Sequence, residues 1–491
     1  MKPFSILHIS DLHRSPDDPI SNAELISALI GDRDRYIHED PKITVPEAIV
    51  VSGDLIHGVQ LGAIDYEDKL ARQYEVAEAF LDELVKRFLD GDRSRLVIVP
   101  GNHDIDWNTA QKSFEQVDTK DFPANLASVL YEEDTDYRWD WKSLKLFRIA
   151  DRDLYKKRLD AFWRFFERFY KGVSGLLSVQ PYANYSLFNF CNDRIGVAAF
   201  NSCHNNDCYA FHGSIRKEEV AQSHLKLKDT GHVFDLLIAV WHHSIEGPPY
   251  RTDYMDVEIV RGMIGRGFRL GLYGHQHKAQ VTPHEIWLPD RERMAVVSAG
   301  SLCAGPYELP TGVNRQYNVL EISSDFRSVR VHVRAMTVAN LFLRANLPEF
   351  GGNTFADLNW EQPKNSVGGT INTSVAQMRL VVEEAEKATK SGDPAHAVKL
   401  LKELKLPEGS YERQLLFDAA SAANDWQTII NVTTTPYSIL ELVMRVEALI
   451  QTNAYPNATE TLERFSKQLE LPVPQETDLR NRIRANEEIK K

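Results

Sequence analysis

The stretch Arg95-Leu-Val-Ile-Val-Pro-Gly-Asn-His-Asp104 decides the fold. Leu96 to Val99 is a short apolar run of the kind that makes a buried strand, and Pro100-Gly101 stops it. Just past the stop stand Asn102, His103 and Asp104, offering an amide oxygen, an imidazole and a carboxylate. Polar groups at the C-terminal end of a buried strand sit where open α/β sheets place their ligands. The same arrangement occurs five times. Residues 4–10 end at Asp11-Leu-His13, 48–52 at Gly53-Asp54, 234–241 at His242-His243, and 269–273 at Gly274-His275-Gln-His277. Asp11 and His13, two apart, share one face of an extended backbone and can reach a single cation.

Between these strands run segments of helical periodicity, at 22–35, 66–89, 217–228 and 257–264, so the fold class is α/β. Residues 295–298, 317–322 and 329–333 read as closing strands, expected to be antiparallel. From about 109 to 182 the βα rhythm stops, and a helical insertion is expected there. Within it Phe162, Trp163, Phe165, Phe166, Phe169 and Tyr170 alternate with Lys156, Lys157, Arg158, Arg164 and Arg168. Such a segment either stacks bases and holds phosphate or packs its aromatics onto the main domain; packing is favoured. Residues 344–373, rich in Gly, Asn and Pro, read as a linker. Beyond it, at 374–491, Gly392-Asp393, Asn424-Asp425 and Asn453-Ala454 interrupt helical patterns. Five residues after each break comes Ala397, Ile429 or Ala458, suited to close packing. The all-α C-terminal domain loosely resembles tetratricopeptide repeats, with a plain helical bundle nearly as good a description. It is expected to contact a protein partner or a second subunit rather than perform chemistry.

The 491 residues exceed what one hydrophobic core usually serves. The N-terminal residues carry no secretory pattern, no run suits a membrane span, and the four cysteines form no CxxC. A cytoplasmic protein is expected, with buried, reduced thiols. A formal charge of −13 argues against a broadly basic nucleic-acid surface, without excluding a local basic groove. No glycine-rich turn follows the first strand, which excludes a dinucleotide-binding fold of the Rossmann type.

Oxygen and imidazole donors suit Mn, Fe or Zn rather than a thiolate-bound metal. The motifs DLH (11–13), GDL (53–55), GNHD (101–104), the strand ending in HH (242–243) and GHQH (274–277) match, in order, those of the calcineurin-like metallophosphoesterases. The resemblance spans roughly residues 4 to 335 and implies a four-layer α/β/β/α sandwich over a domain of residues 1–343. It implies two divalent metal ions, with Mn favoured over Fe or Zn. Asp11, His13, Asp54 and His277 would hold the first; Asp54 would bridge, and Asn102, His242 and His275 would complete the second. His103 would contact the phosphoryl or leaving oxygen, with Asp104 orienting it. The family's chemistry is in-line attack by a water activated between two cations about 4 Å apart.

The family's protein phosphatases carry GDxxDRG where this chain has Gly53-Asp-Leu-Ile-His-Gly58, so their phosphate-gripping arginine is missing. That favours the phosphodiesterase and nuclease branch, acting on a nucleotide or nucleic acid. The rivals are a phosphomonoesterase or phosphoprotein phosphatase on the same metals, and a metal-binding scaffold with a partner-recruiting helical tail. Arg14, directly after the first ligand pair, is a candidate for phosphate contact; His57 is expected to be an exposed loop residue. His8, His204 and His212 receive no role.

Overall fold

The computed structural model describes residues 2–360 apart from 131, 133, 246–252, 287–291, 306, 307, 311, 346, 348, 349, 351 and 352. It also describes residues 381–490 apart from 383, 386, 387, 390, 391, 403, 405, 407–410 and 470. The chain divides into two compact units, Met1–Gln362 and Pro363–Lys491.

Two sheets dominate the first unit. Strands β1 (Phe4–Ile9), β2 (Ala48–Val51) and β3 (Leu96–Ile98) run parallel side by side. After the intervening elements, β4 (Phe114–Gln116), β5 (Tyr137–Asp140) and β6 (Lys145–Ile149) form a small antiparallel sheet of their own. The second large sheet draws on β7 (Tyr185–Phe190), β8 (Ile195–Phe200), β9 (Leu236–Val240), β10 (Phe268–Tyr273), β11 (Gln280–Ile286) and β12 (Glu292–Ser298). It runs in the order β11-β12-β10-β9-β8-β7. The chain then returns to the first sheet with β13 (Gln316–Ile322), β14 (Ser328–Met336), β15 (Phe342–Arg344) and β16 (Phe355–Asn359).

Strands β8 and β9 show why their sequences are continuously apolar. Ile195, Val197, Leu236, Ile238 and Val240 face one core, shared with β1, β2 and β13 of the other sheet. Their alternates, Ala198, Phe200, Ala239 and Trp241, enter a second core against Val220, Val260 and Met263 of the helices Lys217–Asp229 and Val257–Ile264. A strand covered on both faces has no polar side to show, and at about 25 cal/mol per Å² each buried face stabilises it. On the first sheet Asn22–Arg33 and Tyr66–Phe88 supply the outer helical layer, with Leu25, Leu29, Phe80 and Leu84 fully buried. The result is the mixed α/β architecture with flanking helices expected from the motif order.

Three details differ from the sequence reading. Strand β12 runs parallel to β10, not antiparallel, because the chain turns back through β11 before entering it. The insertion is not purely helical, since it contains the β4-β6-β5 sheet. Its helix Asp160–Tyr170 buries all six of its aromatic residues. Phe165 stacks on Tyr74 at 5.5 Å, and the Tyr170 hydroxyl donates to the Leu96 carbonyl at 2.7 Å. The aromatic run therefore props up β3 rather than offering rings to bases. Lastly, the stretch expected to link the domains contains β16, paired with β14 from Ser328↔Asn359 to His332↔Phe355. Residues 361–373 of that linker lie outside the described residues.

The second unit is helical, with helices at Pro394–Leu401, Tyr411–Ala422, Trp426–Val432, Ile439–Gln451, Tyr455–Phe465 and Val473–Lys490. The turns before Pro394, Trp426 and Tyr455 are built alike: Asp393, Asp425 and Ala454 each donate a backbone N–H five residues back, to Ala388, Ala420 and Leu449, at 2.8 Å. Ala397, Ile429 and Ala458 are all fully buried. No helix among the described residues is long and apolar enough to cross a membrane.

Candidate metal centre

The C-terminal ends of β1, β2, β3, β9 and β10 converge, and their polar residues gather in two groups sharing one carboxylate. In the first, ligand atoms of Asp11, His13, Asp54 and His277 all lie within 4.8 Å of one another. The second forms round Asn102, whose Oδ1 is 3.0 Å from His242 Nε2 and 2.9 Å from His275 Nδ1. Asp54 Oδ2 reaches both groups, at 3.8 Å from His13 Nε2 and 3.3 Å from His242 Nε2. All seven residues expected to hold metal are thus brought together.

The backbone geometry that does this was not legible. Asp11, His13, Asp54, His275 and His277 all have positive φ, at 50, 45, 52, 73 and 55°. The left-handed region is unfavourable for residues with a Cβ, and each such residue costs roughly 1–3 kcal/mol. Asp11 and His13 therefore share a site because the chain coils tightly after β1, not because it stays extended. The coil is held by the N–H groups of Leu12 and His13 on the Asp54 carbonyl, at 2.8 and 3.1 Å. Gly101 completes the approach, because a side-chain carbon there would overlap the Asp54 carboxylate.

Hydrogen bonds set which ring nitrogens face inward. His242 donates Nδ1–H to the Ser52 carbonyl at 2.8 Å, and His277 donates Nδ1–H to the Glu308 carbonyl at 2.8 Å. Each then turns the lone pair of Nε2 to the site. His275 presents Nδ1, with Nε2 3.5 Å from the Asp253 carboxylate. His13 Nε2 and His277 Nε2 stand 3.2 Å apart, and the buried Asp11 Oδ1 lies 3.2 Å from His277 Nε2. Buried, converging lone pairs are stable only with positive charge between them. The side chains behave accordingly. Burial would lower His242 and His277, yet Asp54 and Asp11 beside them lift both to about 9. Burial would raise Asp11 too, but the His277 and His242 imidazoles hold it down at about 2. Protons collect where cations would sit. This donor set, hard oxygens with imidazoles and no thiolate, fits Mn, Fe or Zn.

His103 lies at the edge of the cluster, its ring centroid 4.5 Å from that of His13. The group that orients it is not Asp104. His103 donates Nδ1–H to the His57 carbonyl at 2.7 Å. Asp104 instead is fully buried and ties its own loop, accepting from Gly101 N at 2.8 Å, Tyr74 Oη at 2.9 Å and Leu55 N at 3.3 Å. Burial, then the neighbouring charge of Asp54, raises its carboxyl to about 7. Arg14 also departs from expectation. It is buried with its donors committed to Asn22 Oδ1 at 3.0 Å, the Ile20 carbonyl at 3.0 Å and Cys303 Sγ at 2.9 Å, and it pairs with Asp18 at 3.0 Å. With its donors spent on these partners, Arg14 anchors the approach to the helix Asn22–Arg33 and does not face the cluster.

The sequence reading missed the groups that position the side chains of the cluster. Ser202 Oγ accepts from His242 N at 3.1 Å and contacts His243 Nδ1 at 2.9 Å, while Asn206 Nδ2 donates to His243 Nε2 at 3.0 Å. His243 is thus consumed in positioning its neighbour. Backbone carbonyls such as those of Ser52, His57 and Glu308 carry no residue signature, so nothing in the sequence could have marked them.

A model of the calcineurin-like phosphoesterases matches residues 4–279, which includes all seven residues of the cluster. The chain belongs to the calcineurin-like phosphoesterase family, whose members use a dinuclear metal centre. Among solved structures it is similar to PhoD, with 10% identity over 75% of this chain and 73% of that one, at a TM-score of 0.39. It is also similar to YfkN from Bacillus subtilis, with 13% identity over 73% and 91% of the two chains and a TM-score of 0.27. GAP50, the anchor in the inner membrane complex of Plasmodium, shows 12% identity over 74% and 91%, with a TM-score of 0.32. No curated protein matches significantly.

Proposed function

We propose that the protein is a phosphodiesterase, hydrolysing a diester in a nucleotide or nucleic acid at a pair of divalent cations. The observation that carries the reading is the sharing of Asp54 between the His13 and His242 sides of one buried cluster. Asp11, His13, Asp54 and His277 would hold one cation, and Asn102, His242 and His275, with Asp54, the other. When bound, such a pair neutralises phosphate oxygens and activates water for attack on phosphorus. His103, its Nδ1–H fixed by the His57 carbonyl, keeps Nε2 available toward the phosphoryl or leaving oxygen. Asp104 supports it indirectly, by holding the loop that carries it.

The preference for diesters rests on Gly58. It stands where the family's protein phosphatases carry the arginine of GDxxDRG. Here φ is +79°, and a Cβ would lie 2.9 Å from the His103 carbonyl oxygen. No arginine can enter at that position without moving His103, and Arg14 does not replace it. A dianionic monoester needs the extra cation more than a monoanionic diester does. The test compares bis-aryl with mono-aryl phosphates in Mn²⁺: kcat/KM should favour the diester by tenfold or more. Equal or reversed preference would return the monoesterase reading. Failure to hydrolyse any phosphoester with full metal would leave the scaffold.

A further inference from the structure

We propose that the cavity between the insertion and the end of β8 receives a nucleotide unit joined to the scissile phosphate, an inference that rests on the diester reading above. The cavity holds about 420 Å³, within the range of small-molecule sites. Five cationic side chains line it (Arg138, Arg152, Lys156, Arg158 and Arg216) against two carboxylates, Asp134 and Asp136. With Asp207 and Asp153, which pair with Arg138 and Lys156, counted too, a net positive charge remains on a chain of net charge −13, and a positively lined concavity draws in a polyanion.

The cations divide by role. Arg138 is buried against Asp207 at 2.8 Å, and Arg158 is buried on the carbonyls of Asn206 and Cys203 at 3.1 and 3.2 Å. These two build the floor. The other three open to water, with side chains 68, 75 and 35% exposed for Arg152, Lys156 and Arg216. Their partners are Asp136, Asp153 and Asp134, exposed pairs of the kind that contribute little and exchange readily. Arg216 Nε is buried with no hydrogen-bond partner among the described residues. A phosphate can take these donors. Tyr182, half-exposed, lies 5.8 Å from Trp163 on the same wall and offers a ring face to a base.

Position links this cavity to the cluster. Asn201 and His204 line it. Ser202, between them, accepts the backbone N–H of His242 at 3.1 Å, and Cys203 Sγ reaches the Pro100 carbonyl, two residues before Asn102, at 3.7 Å. One loop therefore borders the cavity on one side and backs Asn102 and His242 on the other. A substrate with its scissile phosphate at those ligands would lay its next unit over the rim of that loop.

The double variant Arg152→Glu/Lys156→Glu tests this. With Mn²⁺, kcat/KM is measured on a dinucleotide, a 12-mer oligodeoxynucleotide and a bis-aryl phosphate that lacks any next unit. The ratio of nucleotide to bis-aryl kcat/KM should fall at least tenfold, mainly through KM, and Tyr182→Ala should lower it by a smaller factor. An unchanged ratio would overturn the proposal, as would a fall confined to the 12-mer. If the wild-type protein cleaved bis-aryl phosphate but neither nucleotide, this inference alone would fail; if it cleaved none of the three, the diesterase reading would fail with it.

Discussion

In the first unit the residues with left-handed backbone include Asp11, His13, Asp54, His275 and His277, five of the seven residues gathered in the cluster. Among the described residues of the helical unit they are Gly392, Asn424 and Asn453, each at a turn between helices. The second set is what the conformation itself selects: glycine meets no Cβ penalty, and asparagine tolerates left-handed geometry better than other residues. The first set is chosen for its donor atoms and endures the backbone. Strain of that kind persists only where surrounding structure holds it. Here it is held by buried strands on both faces and by bonds such as Leu12 N to the Asp54 carbonyl. The two units thus use one backbone state for different ends, one to converge side chains and the other to reverse direction.

The contrast can be broken most severely at Asp54. Asp54→Asn should lose metal and lower turnover by about 10³-fold or more, because the shared carboxylate serves both groups. Elemental analysis and kcat on a bis-aryl phosphate check it; retention of both would dissolve the shared-ligand reading. His103→Ala should keep its metal and lower kcat by about 10²–10³-fold, the range of a general acid or oxyanion contact. Loss of metal in that variant would make His103 a ligand instead.

Smaller effects sharpen the comparison through stability. Gly58→Arg introduces a Cβ into a position of φ +79° against a backbone oxygen, and should destabilise the first unit by about 2–4 kcal/mol without gain of monoesterase activity. Urea unfolding together with the mono-aryl assay would reveal the opposite. In the helical unit, Asn424→Gly should shift stability by only a few tenths of a kcal/mol, while Asn424→Ala should cost about 1 kcal/mol. If both cost the same, the left-handed turn at Asn424 is not what determines the effect.

How much of this was readable follows from where the information lies. The apolar run and stop at residues 95–104 located β3 and the loop after it, since burial of a short strand and the turn chemistry of Pro-Gly are local properties. Breaks at Gly392, Asn424 and Asn453 were readable for the same reason. The direction of β12 was not, because it depends on where the chain goes after β10. Arg14 and Asp104 misled for a related reason. Adjacency in sequence suggested contact with phosphate and with His103, but in tightly coiled backbone neighbouring side chains diverge, and both turn into the protein.

Taken alone, the sequence determined the family, the α/β class and which seven polar residues stand at the strand ends that converge, because motif order and strand-end chemistry are written residue by residue. Only the tertiary structure decided which nitrogen of each histidine faces inward, that the His57 carbonyl orients His103, and that Gly58 leaves no room for an arginine. Those depend on backbone atoms, which every residue possesses alike, and on distances between segments from 31 to 190 residues apart. A one-dimensional record holds neither.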